Sequence, residues 1–303
     1  MTELTLFQQK VSALLQNIEY RFEEPLSKHT SFKIGGGAEV MAFPKTADEL
    51  AAVLKAAKQL ECKPVIIGAG TNILAPDAGI RGLVICLKDA LDGMEQLDDS
   101  TIRVMAGVTM TRAAVFAANL GLSGLEFAHG IPGTVGGGVY MNAGAYGGEI
   151  CQVCAQVGVM DECGDITVRS NEQMKFSYRH SYLEEEPGIV VYADFQLTKA
   201  PVDEIKGKMQ ELMTKRKTSQ PLDMPSAGSA FKRPVGGYAA ALIDQTGLKG
   251  FQVGGAQVST KHAGFVVNAG GATASDVVNL LKQVSDKVYE NTGIRLEPEV
   301  RIW

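Results

Sequence analysis

Apolar residues recur at helical spacing near the N-terminus, where Leu4, Leu6, Phe7, Val11, Leu14, Leu15 and Ile18 mark an amphipathic segment over Met1–Glu19. The chain then turns through Pro25, and the apolar run Glu39–Phe43 predicts a strand. Thr46 and Glu49 have the spacing of a capping box, and Leu50, Val53, Leu54 and Ala57 form the stripe of the helix behind it. Short apolar runs at 63–67 and 82–87 predict buried strands on either side of a glycine turn, GAGTNIL at 68–74. A second series follows. It has strands at 101–107, 153–161 and 188–197, and a helix from Thr109 to Asn119 ended by Gly121. The last third predicts helices over Val202–Lys217, Tyr238–Gln245 and Ser275–Asn291, a strand at 264–270, and a final alternating strand, IRLEPEVRIW. In that alternation Glu297 and Glu299 share one face, and Leu296, Pro298, Val300 and Ile302 share the other. Strands interleaved with helices predict a mixed α/β (α+β) protein with regions at 1–89, 90–199, 200–290 and a C-terminal strand at 291–303.

Composition narrows the class. Hydrophobic residues are 45% and charged residues 21% of 303, enough apolar material for more than one core. A net charge of −5 argues against nucleic acid as the partner, because neutralising phosphates needs a basic face. There is no signal-peptide pattern and no apolar run long enough for a membrane span. The five cysteines are an odd number and read as reduced thiols of a cytoplasmic protein.

The 34 glycines exceed the roughly 7% average and fall in clusters, a sign of backbone approaching another group closely. GAGTNIL lacks the third glycine of a dinucleotide fingerprint and the lysine of a P-loop. Alone it is as compatible with a turn as with a phosphate site. A second loop, GIPGTVGG at 130–137, changes that, since two loops can cradle a diphosphate from both sides. CQVC at 151–154 has no second ligand pair and is predicted to lie on a strand, so it is not read as a metal or redox site. His29, His129, His180 and His262 are scattered without ligand spacing. FSYRHS (176–181) sets Arg179 among aromatic neighbours, and AGSAFKRP (227–234) sets Ser229 in a small-residue turn beside Lys232 and Arg233. Without a GxSxG elbow Ser229 is not an acyl-transfer nucleophile. The pattern therefore reaches a cytoplasmic α/β protein binding a diphosphate-containing cofactor, with its chemistry open.

HTSFKIGG (29–36), GAGTNIL, GIPGTVGG, NAGAYGGE (142–149), FSYRHS, AGSAFKRP and LEPEVRI (296–302), in that order, resemble the UDP-N-acetylenolpyruvoylglucosamine reductase (MurB) family. The resemblance covers nearly the whole chain from about residue 20. It implies a vanillyl-alcohol-oxidase/PCMH-type FAD-binding fold of two subdomains, a third α/β substrate-binding domain and a C-terminal strand returning to the active site. It implies non-covalent FAD, NADPH as electron donor, and a role in peptidoglycan precursor synthesis, hence in cell wall biogenesis, cell shape and cell division. About ten residues separate Arg179 from the strand at Gly188, which resembles the short-loop type II members. The substrate-covering tyrosine of the other type is not carried over, and Tyr182 is not put in its place.

By the same resemblance Gly68, Ala69, Gly70, Thr71, Asn72 and Ile73, with Gly130, Ile131, Pro132, Gly133, Gly136 and Gly137, would hold the cofactor. Arg179 would hold the substrate carboxylate, Glu299 would donate to the enolate oxygen and Ser229 would protonate carbon. Tyr178, Lys217, Lys232 and Arg233 are candidate substrate contacts, and Lys215 and Arg216 lie beside them. The partner expected is the nucleotide sugar alone, for a monomer or weak oligomer with no membrane or nucleic-acid partner. Another FAD oxidoreductase of this fold, or a non-catalytic flavin-binding module, would share the glycine loops without needing the Ser229 and Glu299 motifs.

Overall fold

The structure, a computed structural model, describes residues 4–303, so Met1–Glu3 of the N-terminal amphipathic segment lie outside the described residues. The chain divides into two units with separate apolar cores. The first takes residues up to Phe22 with 39–69 and 82–215; the second takes 23–38, 70–81 and 216–303.

In the first unit, α1 (Leu6–Leu14) begins at a reciprocal cap between Thr5 and Gln8. It buries Val11 but leaves Leu6 and Leu14 exposed, so the stripe anticipated over Met1–Glu19 yields only a nine-residue helix. α2 (Ala47–Gln59) buries Leu50, Val53, Leu54 and Ala57, as the spacing requires. Its cap is half of the expected box. Thr46 Oγ1 accepts from the Glu49 amide at 3.2 Å, while the Glu49 carboxylate reaches past Thr46 to the Lys45 amide at 2.6 Å. α3 (Met110–Asn119) starts at Thr109, α4 (Val135–Tyr140) starts at Thr134, and α5 (Val202–Ser219) carries the chain onward.

A four-stranded sheet runs in the order Tyr20–Pro25, Gly37–Ala42, Ile80–Cys86, Val65–Ile67. An antiparallel five-stranded sheet runs Ile166–Ser170, Cys154–Met160, Ile189–Gln196, Thr101–Met105, Met94–Gln96. Ile166–Ser170 and Met94–Gln96 are its edge strands, too polar and too exposed for hydrophobic patterning to mark them. The central strand 189–196 is almost wholly buried yet carries Asp194. That carboxylate takes a bidentate fork from Arg103 at 2.7 and 2.8 Å, and a third bond from Gln156 at 2.7 Å. All three bonds come from the neighbouring strands, so the buried charge is compensated and cross-strand register is pinned with it.

In the second unit α6 (Ala239–Gln245) and α7 (Ala274–Thr292) accompany an antiparallel sheet in the order Ser226–Ser229, Phe265–Asn268, Ala256–Val258, Gln252–Val253. α7 buries Ala274, Val277, Leu280, Leu281, Val284 and Val288, a continuous stripe at three- and four-residue spacing. Two side chains tie it to distant sequence. Ser285 Oγ donates to the Leu296 carbonyl at 2.9 Å. Asp77 accepts the Ala274 amide at 2.7 Å and the Ser275 amide at 3.0 Å, adding negative charge to the helix N-terminus. Among the described residues no helix is long and apolar enough to cross a membrane.

Two expectations fail here. The C-terminal run is paired as a strand only at Arg301–Ile302, with an isolated bridge between Phe231 and Pro298. Leu296 and Val300 are buried, but Pro298 and Ile302 are exposed, because the run has partners on two different segments and follows neither alone. And Ser226–Ser229, expected as a turn, is a strand. Replacing Asp77 with alanine removes the side-chain acceptors of two backbone amides at the start of α7 and should lower stability by about 1–2 kcal/mol. Thermal unfolding of the FAD-loaded protein measures this, and an unchanged midpoint would contradict the capping role.

Candidate active site

In the first unit, FSYRHS forms a tight turn. Ser177 and His180 exchange backbone hydrogen bonds at 3.1 and 3.2 Å, leaving Tyr178 and Arg179 at the tip. Arg179 has φ +56°, a left-handed conformation that most side chains avoid. Its Nη2 donates to the Gly144 carbonyl at 3.2 Å, and its guanidinium lies 5.1 Å from the centroid of the exposed Tyr178 ring. Tyr182 is buried, with the Arg169 guanidinium 4.6 Å from its ring, so it belongs to the core.

The glycine loop 130–137 folds back on itself. The Gly130 amide donates to Thr111 Oγ1 at 3.1 Å, that of Ile131 to Ala128 O at 3.0 Å and that of Gly136 to Ala106 O at 2.8 Å. Gly137 donates to Thr134 Oγ1 at 3.4 Å, and Gly133 O accepts the Met110 amide at 3.0 Å. Pro132 and Gly137 are exposed. The other loop meets this one at Gly68, where an added Cβ would lie 2.7 Å from Thr134 Oγ1. Gly68 therefore adjoins Thr134 of the 130–137 loop, within the first unit.

Gly70, Thr71, Asn72 and Ile73 continue into the second unit. Gly70 has φ +61°, and a Cβ there would sit 2.1 Å from the His29 carbonyl oxygen, so only glycine fits. Its own carbonyl accepts the Ser31 amide at 3.0 Å, and Ser31 Oγ donates to Ser226 O at 2.6 Å. HTSFKIGG thus acts as a backbone clasp on GAGTNIL. Asn72 and Ile73 hold the C-terminal segment. Asn72 Nδ2 donates to Glu299 O at 3.2 Å, Asn72 O accepts the Arg301 amide at 2.9 Å, and Ile73 pairs with Arg301.

From its other side the same segment is held by 230–232. The Glu299 amide donates to Ala230 O at 2.9 Å and the Lys232 amide to Glu297 O at 2.8 Å. Ser229, Glu299 and Asn72 are thereby brought together through adjoining backbone bonds. Ser229 owes its placement to a bulge. Ser226 pairs with Val267 but Ser229 with Phe265, and the extra residue is absorbed at Gly228 with φ +74°. Ser229 is exposed and Glu299 half-buried. Lys232 forms an ion pair with Glu297, so Glu297 and Glu299 have separate roles despite their shared parity. Arg233 lies 4.1 Å from the ring centroid of exposed Tyr238. Lys217 and Lys215 are exposed on α5, whereas Arg216 is buried; the Lys217 carbonyl accepts Lys261 Nζ at 2.7 Å.

CQVC is not on one strand: Cys151 lies in a 3₁₀ turn and Cys154 opens the strand behind it. Burial pushes the Cys154 thiol up to about 12, far from a reactive thiolate. Sequence reasoning passed over Ser31 and Asn142, which act on backbone. An asparagine inside a glycine-rich motif is the one sequence signal that could have marked the second.

Two family models match. An FAD binding domain covers residues 38–169, and the C-terminal domain of UDP-N-acetylenolpyruvoylglucosamine reductase covers 220–303. A reductase of that name from Caldanaerobacter subterraneus is 45% identical over 97% of this chain and 96% of its own length. The crystal structure of UDP-N-acetylenolpyruvylglucosamine reductase (MurB) from Thermus caldophilus superposes with a TM-score of 0.77 at 35% identity, covering 95% of this chain and 99% of that one. An alkyldihydroxyacetonephosphate synthase shares the fold at a TM-score of 0.50 and 14% identity, over 66% of this chain and 42% of that one. The residues fit FAD. The loops present bare glycine backbone at Gly68 and Gly137, and His129, just ahead of Gly130, has a buried Nδ1 without a hydrogen-bond partner in the protein. The matches run the length of the chain and agree with the site they cover: this chain belongs to the UDP-N-acetylenolpyruvoylglucosamine reductase family.

Proposed function

We infer that this chain is a UDP-N-acetylmuramate dehydrogenase, reducing UDP-N-acetylenolpyruvoylglucosamine with electrons from NADPH in the synthesis of peptidoglycan precursor. The observation that carries the reading is the placement of Ser229 and Glu299 on adjoining residues of one backbone ladder, held on its far side by Asn72 of a glycine loop. When bound, FAD would supply the hydride-transfer chemistry between NADPH and the substrate alkene.

The chain's own residues do the rest. Hydride arrival at one alkene carbon of a vinyl ether places negative charge on the neighbouring carbon and its carboxylate. Arg179 holds that carboxylate with its guanidinium, whose planar fork matches a carboxylate. Glu299 would donate to the enolate oxygen when it carries a proton, and Ser229 Oγ would give its proton to carbon. A hydroxyl is a weak acid, but an enolate is a strong base. Exposure of Ser229 supports this role, because a proton donor to substrate must not be covered by protein. Lys217, Lys232, Arg233 and Tyr178 are the candidates for the diphosphate and sugar. Lys232 comes to that role with its Glu297 pair already made, and the adjacent Arg233 is exposed beside the Tyr238 ring.

Gly68, Ala69, Gly70, Thr71, Asn72 and Ile73, with Gly130, Ile131, Pro132, Gly133, Gly136 and Gly137, would hold the cofactor. Since the Gly130, Ile131, Gly136 and Gly137 amides have partners in the protein, those positions serve by close approach. In this reading segments 1–89 and 90–199 hold the flavin, and 200–290 with the returning segment 291–303 holds the substrate. The five free thiols support a reducing cytoplasm as its location, and the protein acts as a monomer or weak oligomer.

Ser229→Ala should leave anaerobic reduction of the flavin by NADPH within about two-fold and slow its reoxidation by the enolpyruvyl sugar by about 100-fold or more. Equal slowing of both steps would remove Ser229 as the proton donor. Arg179→Ala should raise the half-saturating concentration of that sugar by about ten-fold or more, the loss of a charge-assisted contact. Unchanged saturation kinetics would take Arg179 out of the site. Gly68→Ala, which drives a methyl into Thr134, should weaken FAD retention by about ten-fold with far-ultraviolet circular dichroism intact; full flavin content after gel filtration would show that the two loops need not meet.

A further inference from the structure

We propose that Asn142 is the positioning residue of Arg179, fixing through the Ser177 carbonyl the strained turn that aims the guanidinium. The inference rests on the reading of Arg179 given above. A left-handed, non-glycine residue is strained and persists only where its surroundings over-determine it. Arg179, at φ +56°, is such a residue. The turn's own two backbone bonds, between Ser177 and His180, do not discriminate among rotations of the tip. Something outside the turn must hold it.

Asn142 is that group. It is fully buried and is itself left-handed, at φ +43°. One Nδ2 hydrogen goes to Ser177 O at 2.9 Å and the other to Glu149 Oε2 at 2.9 Å. Its Oδ1 accepts the Cys151 amide at 2.9 Å. Two donors, one acceptor and a positive φ are together the specification of asparagine. Aspartate lacks the donors, glutamine is a methylene too long, and glycine lacks every bond. A second tether fastens the far side of the turn: Ser181 Oγ, fully buried, donates to Tyr140 O at 2.8 Å. The guanidinium then reaches back to Gly144 O, two residues past Asn142, so that anchor and aimed group belong to one small framework.

A substitution that only destabilised this framework would be uninformative, so the test isolates the bond to Ser177. In Asn142→Asp with Glu149→Gln, the side chain at 149 can donate to the one at 142, and the Cys151 amide keeps its acceptor. Not regenerated are the bond to Ser177 O and the long contact of 3.8 Å from Cys151 Sγ to the side chain at 149. For the double variant the expected result is retained FAD, with the half-saturating concentration of enolpyruvyl sugar raised about ten-fold. The decisive measurement is the same change made in an Arg179→Ala background. If Asn142 works through Arg179, the double variant adds no further rise there. Multiplying effects in the two backgrounds would overturn the inference while leaving the role of Arg179 standing; no effect of Arg179→Ala alone would overturn both. Should the double variant fail to load FAD, Ser181→Ala, which removes only the second tether, carries the same cycle.

Discussion

The second unit depends on how its last residues are held. From Glu297 to Trp303 the chain has hardly any regular pairing, yet its backbone is bonded alternately to two segments. Glu297 and Glu299 bond to 230–232, and Glu299, Arg301 and Trp303 bond to 72–74. Each bond alone contributes about 1 kcal/mol, and none is exceptional. Their effect is geometric. They join a loop near residue 70, a strand end near residue 230 and the chain terminus into one rigid piece, and they do so through main-chain atoms, whose positions side-chain rotamers cannot blur. In the proposed mechanism the Glu299 carboxyl and the Ser229 hydroxyl are carried on this piece, which meets the geometric condition for preorganised catalysis.

This arrangement also explains which parts of the structure were legible from sequence. Helices with a stripe and a cap were read almost to the residue: α2, α3 and α7 start at Thr46, Thr109 and Thr273, and α7 stops at left-handed Gly293. The strands 154–160 and 189–196 were read because a two-sided core needs continuous apolar runs. The C-terminal run was misread because alternation presumes one sheet with two faces. Pro298 and Ile302 satisfy the apolar parity and are exposed, since the segment lies between two loops instead of within a sheet. Ser226–Ser229 was misread for the opposite reason. Small residues and glycine suggest a turn, whereas here glycine is the bulge that re-aims Ser229 within a strand.

The site was legible as a set of motifs, and its working parts were not legible as contacts. Both glycine loops were read as close-approach surfaces, and the structure packs Gly68 of one against Thr134 of the other. Which amides remain for a ligand could not be read, because the partners of Gly130 and Gly136 are Thr111 and Ala106, far away in sequence and without any motif of their own. Lys232 and Glu297 were likewise seen as separate charges, and only the ladder between 230–232 and 297–299 makes them a pair.

A single principle connects Ser31, Asn72 and Asn142, the residues whose side chains do most of this fastening. Each binds backbone carbonyl or amide groups of another segment, Ser31 to Ser226, Asn72 to Glu299 and Asn142 to Ser177 and Cys151. Loops that must remain glycine-rich to approach a ligand have no side chains with which to pack, and their backbone polar groups still need partners. Short polar side chains meet both demands, since they reach one residue's length, saturate main-chain groups and, for asparagine, tolerate the left-handed conformations that such loops require. The polar residues of the motifs are therefore of two kinds: those that face substrate, such as Arg179 and Ser229 in the proposed mechanism, and those that make a glycine-rich backbone stiff enough for the first kind to be aimed.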